Sequence, residues 1–117
     1  MSDKKFSLVI LESPYAGDVE RNVTYARRAL RDSLARGEAP IASHLLYIQP
    51  GVLDDTISAE RALGINAGLA WREVVQATVV YADYGISTGM RYGIEKARAT
   101  GLPVIYRNIG LNPEFRT

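Results

Sequence analysis

Four short apolar runs, separated by stretches with helical periodicity, constrain this chain more than any other feature. Phe6-Ser7-Leu8-Val9-Ile10-Leu11 reads as a buried strand. Val19, Val23, Ala26 and Leu30 then recur at steps of four, three and four, which places them on one face of a helix over Val19 to Arg36. Gly37 suits the position just past that helix. Ala39-Pro40-Ile41-Ala42 reads as a second strand, near an edge or a strand start because Pro40 has no N–H to donate. A helix follows over about Ala59 to Gln76, with Thr56 or Ser58 as its cap, and Ala77 to Ala82 forms a third strand. Ser87 caps a last long helix on which Met90, Ile94 and Ala97 face inward, and Gly101 ends it. Pro103-Val104-Ile105-Tyr106 is the fourth strand, and Arg107 to Thr117 reads as a tail or a further edge segment. The order β-α-β-α-β-α-β predicts an α/β fold with a mainly parallel sheet of four to five strands and helices on both faces.

Length and composition narrow the function classes. At 117 residues, one domain over 1–117 is expected. A net charge of +1 gives no electrostatic argument for a nucleic acid polymer or an anionic membrane. There are no cysteines, which excludes disulfides, thiolate zinc sites and a cysteine nucleophile. No standard metal-ligand spacing appears either, so no metal and no cofactor is expected. The N-terminal apolar stretch is interrupted by Glu12 too early for a signal peptide, and no run approaches the roughly 20 apolar residues that span a bilayer. A cytoplasmic protein is expected.

In an open parallel sheet, ligands sit beyond the C-terminal strand ends, and three loops fall there: Ser13 to Asp18, Ser43 to Thr56, and Asp83 to Gly89. Ser13-Pro14-Tyr15-Ala16-Gly17-Asp18 joins a strand to a helix, so its backbone amides suit a phosphate or carboxylate. Tyr15 can stack on a base or sugar there, or can be the exposed tyrosine of an ordinary turn. Arg21, Asn22 and Tyr25 share a face of the first helix and form either one wall of a pocket or a solvated first turn. His44, the sole histidine, follows the second strand and is placed for acid–base work, for binding a sugar, or for a structural role. Asp54, Asp55, Glu60 and Arg61 flank the start of the second long helix. Arg61 can hold a phosphate or pair with Asp55 or Glu60, and a helix cap is the simpler account of Asp55. Gly85-Ile86-Ser87-Thr88-Gly89-Met90 offers hydroxyls and amides at a helix start, without the lysine of a phosphate-binding P-loop.

Taken together, Ser13 to Asp18, Glu20-Arg21-Asn22, Ala39 to Tyr47, Asp54-Asp55 with Glu60-Arg61, Gly85 to Met90 and Gly101 to Val104 resemble a family of short bacterial and phage proteins. That family is similar to the nucleoside 2-deoxyribosyltransferase-like superfamily. The resemblance implies a Rossmann-like three-layer sandwich and a pocket for a nucleoside, nucleotide or related ribosyl compound. It also implies a homodimer or larger homo-oligomer, for which Leu69, Trp71, Val75 and Tyr92 offer apolar surface. Superfamily enzymes cleave an N-glycosidic bond with a glutamate near the start of the last long helix, often assisted by an aspartate near the penultimate strand. Counting back from Gly101-Leu102-Pro103-Val104, the glutamate position falls on Gly93, and the aspartate position falls on Thr78.

Two function classes follow. One is an N-glycoside hydrolase or deoxyribosyltransferase whose carboxylate comes from elsewhere, with Asp83, His44 and Asp18 as the expected catalytic residues. Its ligand would be held by Ser13, Tyr15, Gly17, Arg21, Asn22, Asp54, Arg61, Ser87, Thr88, Gly89 and Met90. The other is a non-catalytic binder or sequesterer of a nucleotide or ADP-ribose-like signal that uses the same pocket.

Overall fold

A computed structural model describes residues 5–110. Strand β1 (Ser7–Glu12) leads through the first loop into helix α1 (Val19–Ala35), then strand β2 (Glu38–Ile41). A one-turn helix α2 (Ser43–Leu46) and an irregular loop precede helix α3 (Ser58–Ala70). A 3₁₀ turn at Trp71–Glu73, strand β3 (Ala77–Tyr81), helix α4 (Thr88–Ala99) and strand β4 (Val104–Arg107) complete the order. The four strands run parallel in the order β2-β1-β3-β4. The expected α/β fold with helices on both faces is therefore present.

Alternation along the strands decides which helix covers which face. Val9, Leu11, Ala77, Val79 and Tyr81 pack with Tyr25 and Ala29 of α1. Val80 packs on the opposite face, with Met90 and Ile94 of α4. Ile10 and Glu12 share that second face, against Ile65 and Leu69 of α3 and Gly93 of α4. Every residue of β3 is buried, as expected for an inner parallel strand.

Several boundaries differ from the sequence expectations. The second long helix stops at Ala70 rather than Gln76, because the chain tightens into the 3₁₀ turn before β3. Neither Thr56 nor Ser58 caps it: Ile57 holds the cap position without a side-chain bond, and Thr56 bonds to Asp54 instead. The loop expected over Ser43 to Thr56 opens with α2, so His44 is helical. Asp18 and Ser87 do cap α1 and α4, accepting from the backbone amides of Arg21 and Met90. Most of the tail after Arg107 lies outside the described residues.

Candidate functional site

Glu12 is the last residue of β1, and the strand's parity turns it away from α1, into the cleft between α3 and α4. The absence of a side chain at Gly93 makes room for it. A Cβ at Gly93 would lie 2.6 Å from the Glu12 carboxyl carbon, closer than van der Waals contact permits. The Glu12 side chain has no hydrogen bond or ion pair among the described residues. Burial with no compensating partner pushes its pKa from 4.5 to about 8. At neutral pH the group is a protonated carboxyl and can donate.

Above Glu12 opens a cavity of 450 Å³ at the C-terminal edge of the sheet. The β1 side supplies Glu12, Ser13 and Tyr15, and the β2 side supplies Ser43 and His44. Asp55, Arg61, Gly64 and Ile65 close it from α3 and the preceding loop, and Ser87 to Met90 close it from the first turn of α4. Ser13 Oγ lies 3.0 Å from His44 Nε2. Burial lowers the His44 pKa from 6.5 to about 4, so the imidazole is neutral and keeps one donor and one acceptor nitrogen. Its ring tilts against Tyr15 with centroids 5.8 Å apart. A wider groove of 760 Å³ continues outward past Tyr15, His44, Ile48 and Asp55, between α1 and residues 48–55.

The first loop owes its shape to Asn22, whose buried side-chain amide donates to the carbonyls of Tyr15 and Ala16 at 2.9 and 3.2 Å. Gly17 adopts φ +98°, which disfavours any residue with a side chain. Arg21 donates to Asn22 Oδ1 and stacks 3.9 Å above the Tyr84 ring. These residues hold Tyr15 and Ser13 at the cavity wall.

The structure thus gathers Ser13, Tyr15, His44, Arg61, Ser87, Thr88, Gly89 and Met90 around one cavity, with Asp54 in the adjoining groove. Gly17 and Asn22 support the loop rather than line the cavity. Asp18 and Arg21 border a separate surface groove with Tyr84. Asp83 lines neither space. It accepts from Tyr25 Oη and from the backbone amides of Ile109 and Gly110, which ties the end of β3 to the segment after β4. Asp55 is not a helix cap, because the cap position falls on Ile57; it lines both the cavity and the groove. Sequence reasoning passed over Glu12. The available signal was an acid closing an apolar strand on the same parity as Leu8 and Ile10.

The chain matches the domain of unknown function DUF7768 over residues 7–107, nearly its whole length, and belongs to that family. A comparison with curated proteins finds no match. Among solved structures, a 2-deoxyribosyltransferase from the psychrotolerant bacterium Bacillus psychrosaccharolyticus is similar, with a TM-score of 0.62 at 18% identity. The match covers 91% of this chain and 75% of that one. At that identity the likeness shows a shared fold. Among the described residues, no helix is long and apolar enough to cross a membrane.

Proposed function

We propose that this protein binds a nucleoside or nucleotide in the cavity above Glu12 and breaks its N-glycosidic bond, with Glu12 as the acid–base carboxyl. The observation that supports this most is the pairing of Glu12 with Gly93. The superfamily resemblance expects a glutamate at position 93, and here a carboxyl reaches the same spot from β1 instead. The acidic function is kept while the element that carries it changes.

The chemistry follows from the protonation state. A departing base needs a proton, and Glu12 with a pKa near 8 carries one at neutral pH. As the C–N bond breaks, its electron pair stays with the base nitrogen, which takes the Glu12 proton. The carboxylate left behind stabilises the electron-poor anomeric carbon. Water adds to that carbon and loses a proton to Glu12, which restores the starting state. In a transfer reaction a second base takes the place of water. Neutral His44, Ser13 and Ser43 suit hydrogen bonding to sugar hydroxyls. Arg61 and the first turn of α4 suit a phosphate if the substrate carries one. Exposed Trp71 and Tyr92 support self-association.

The test is incubation with nucleosides, deoxynucleoside monophosphates, NAD and ADP-ribose, with free base followed by chromatography and binding by thermal shift. Released base is expected, with at least a roughly hundredfold rate loss in Glu12→Gln and little loss of binding. A thermal shift with no released base would leave the binder reading, which the protonated, hydrogen-bond-donating state of Glu12 also suits. Release that is unaffected by Glu12→Gln would remove Glu12 from the chemistry.

A further inference from the structure

The cavity and the outer groove form one bipartite cleft whose halves differ in chemistry. Within the inner half, Glu12 and His44 are both uncharged at neutral pH, hydroxyls line the walls, and Arg61 and Asp55 are the charged residues at its α3 side. The outer half is lined in part by apolar side chains, among them Ile48 and Leu53, and Tyr15 borders both halves. Three carboxylates border it (Asp54, Asp55 and Glu60) against one guanidinium, that of Arg27. Apolar side chains beside an aromatic ring accept a flat heterocycle, and carboxylates in the same lining accept hydrogen bonds from that heterocycle's edge.

The three carboxylates are not equivalent. Asp54 Oδ1 already accepts from the Thr56 amide and hydroxyl. Glu60 Oε1 accepts from the Asp54 amide. Asp55 alone borders both halves of the cleft, and it makes no hydrogen bond among the described residues. Its ion-pair contact with Arg61 is 4.0 Å, too long for a hydrogen bond, and its side chain is only 24% exposed. A half-buried acceptor with free lone pairs thus stands at the junction, where a base joined to a sugar in the inner cavity would emerge. Tyr15 reports the same proximity: its phenol pKa is raised by burial first, then by the charges of Asp55 and Asp54.

We infer that the ligand's base carries an exocyclic amine, as adenine and cytosine do, and that this amine donates to the Asp55 carboxylate. The inference rests on the nucleoside reading above and adds the class of base to it. A 6-oxo purine or 4-oxo pyrimidine turns a carbonyl oxygen toward the same carboxylate, where two acceptors face each other with no proton between them. Such a mismatch discriminates more strongly than shape alone.

Matched pairs test it: cytidine against uridine and adenosine against inosine, with their 5′-monophosphates, each titrated calorimetrically against the full chain carrying Glu12→Gln, in which binding is retained and turnover is slowed. The amino member of each pair is expected to bind about tenfold tighter or more, in line with one unsatisfied buried acceptor. In Asp55→Asn the side-chain amide both donates and accepts, so the preference should collapse to within about threefold. Asp55→Ser, which removes the charge without mimicking the carboxylate, should lose it as well, and thermal melts confirm that both variants fold. Equal affinity within each pair overturns the inference while leaving nucleoside binding in place. A preference that persists in both variants also overturns it, since the acceptor is then another group. If no member of any pair binds, the nucleoside reading falls and this inference falls with it.

Discussion

Glu12 and Glu38 are both glutamates at strand ends, and the fold treats them in opposite ways. Glu38 opens β2 and accepts two hydrogen bonds from Arg107, at 2.6 and 2.8 Å, and one from Ser33 at 2.7 Å. The Arg107 contacts, and to a smaller degree Ser33, hold its pKa below the ordinary glutamate value despite the opposing effect of burial. Its side chain is 12% exposed and that of Arg107 is 10% exposed. Arg107 also donates to Tyr81 Oη, which donates to Asp32, which pairs with Arg36. Glu12 closes β1 with no side-chain partner among the described residues, and burial keeps it neutral. Burial alone does not set a carboxyl's charge; its partners do. A carboxyl held by three hydrogen bonds serves to hold structure together, whereas one left without a partner remains free to serve a ligand.

The largest test of that contrast is to break each site in turn. Glu38→Ala strands the Arg107 guanidinium, and Arg107→Ala strands the Glu38 carboxylate. Loss of one member of a buried pair costs about 3–5 kcal/mol, so either change should lower the denaturation midpoint by a comparable and large amount. Glu12→Gln should cost nothing of that kind at pH 7, because it replaces one neutral group with another of similar shape. Equal destabilisation by Glu12→Gln and Glu38→Ala would abolish the distinction.

pH separates the two next. The folded pKa of Glu12 is raised, so its contribution is fully present below the unfolded value of 4.5 and is lost as pH climbs through about 8. Across that window the unfolded chain has released the proton and the folded chain has kept it, which costs up to about 1.4 kcal/mol for each pH unit. Relative to the wild type, Glu12→Gln should therefore match at pH 4.5 and gain stability progressively to about pH 8, measured by paired denaturation curves. Glu38 runs the other way: its pKa is lowered, so its contribution stands above 4.5 and fades as pH falls through the folded value. His44 adds to the acid limb, since stability is lost as pH drops from 6.5 through about 4. A Glu12→Gln curve parallel to the wild type from pH 5 to 8 would show that Glu12 is ionised.

The same two glutamates explain what was legible in the sequence. Apolar periodicity located each strand but ran β3 one residue too long, to Ala82, and shifted the other three by one residue, each time leaving out a charged residue. β1 gains Glu12, β2 begins at Glu38, and β4 extends to Arg107. Strand patterns are read from apolar residues, so a charged residue at a strand end reads as the start of a loop. Whether it is buried depends on groups far away in sequence: Arg107 is 69 residues from Glu38, and Gly93 is 81 residues from Glu12 (93 − 12). The loops were easier. Asp18 and Ser87 act on amides three residues away, and Ser13, Tyr15, His44 and the start of α4 follow from the rule about strand C-terminal ends. Asp83 met the same rule and was still drawn away, because Tyr25 and the Ile109–Gly110 backbone claim its oxygens.

The smallest expected effect is the most specific. Gly93 does not sit in the left-handed region, so an alanine there meets no backbone strain, and helix propensity favours it by about 1 kcal/mol. What opposes it is the Glu12 carboxyl, which the new methyl group would overlap. The carboxyl is the end of a flexible side chain beside an open cavity, so it can turn aside, and in the wild-type background Gly93→Ala should forfeit part or all of that propensity gain. In a Glu12→Gly background the obstacle is gone, and the same substitution should keep the gain in full. That difference is a coupling between positions 12 and 93, measured by a double-mutant cycle and expected at about 0.5–3 kcal/mol. Gly93→Ala in a Glu38→Ala background should behave as it does in the wild type, since no contact among the described residues joins those two sites. If the effect of Gly93→Ala is the same in all three backgrounds, the Glu12 carboxyl does not lie under α4. Glu12 could then not stand in at position 93 as proposed, whatever activity the protein shows.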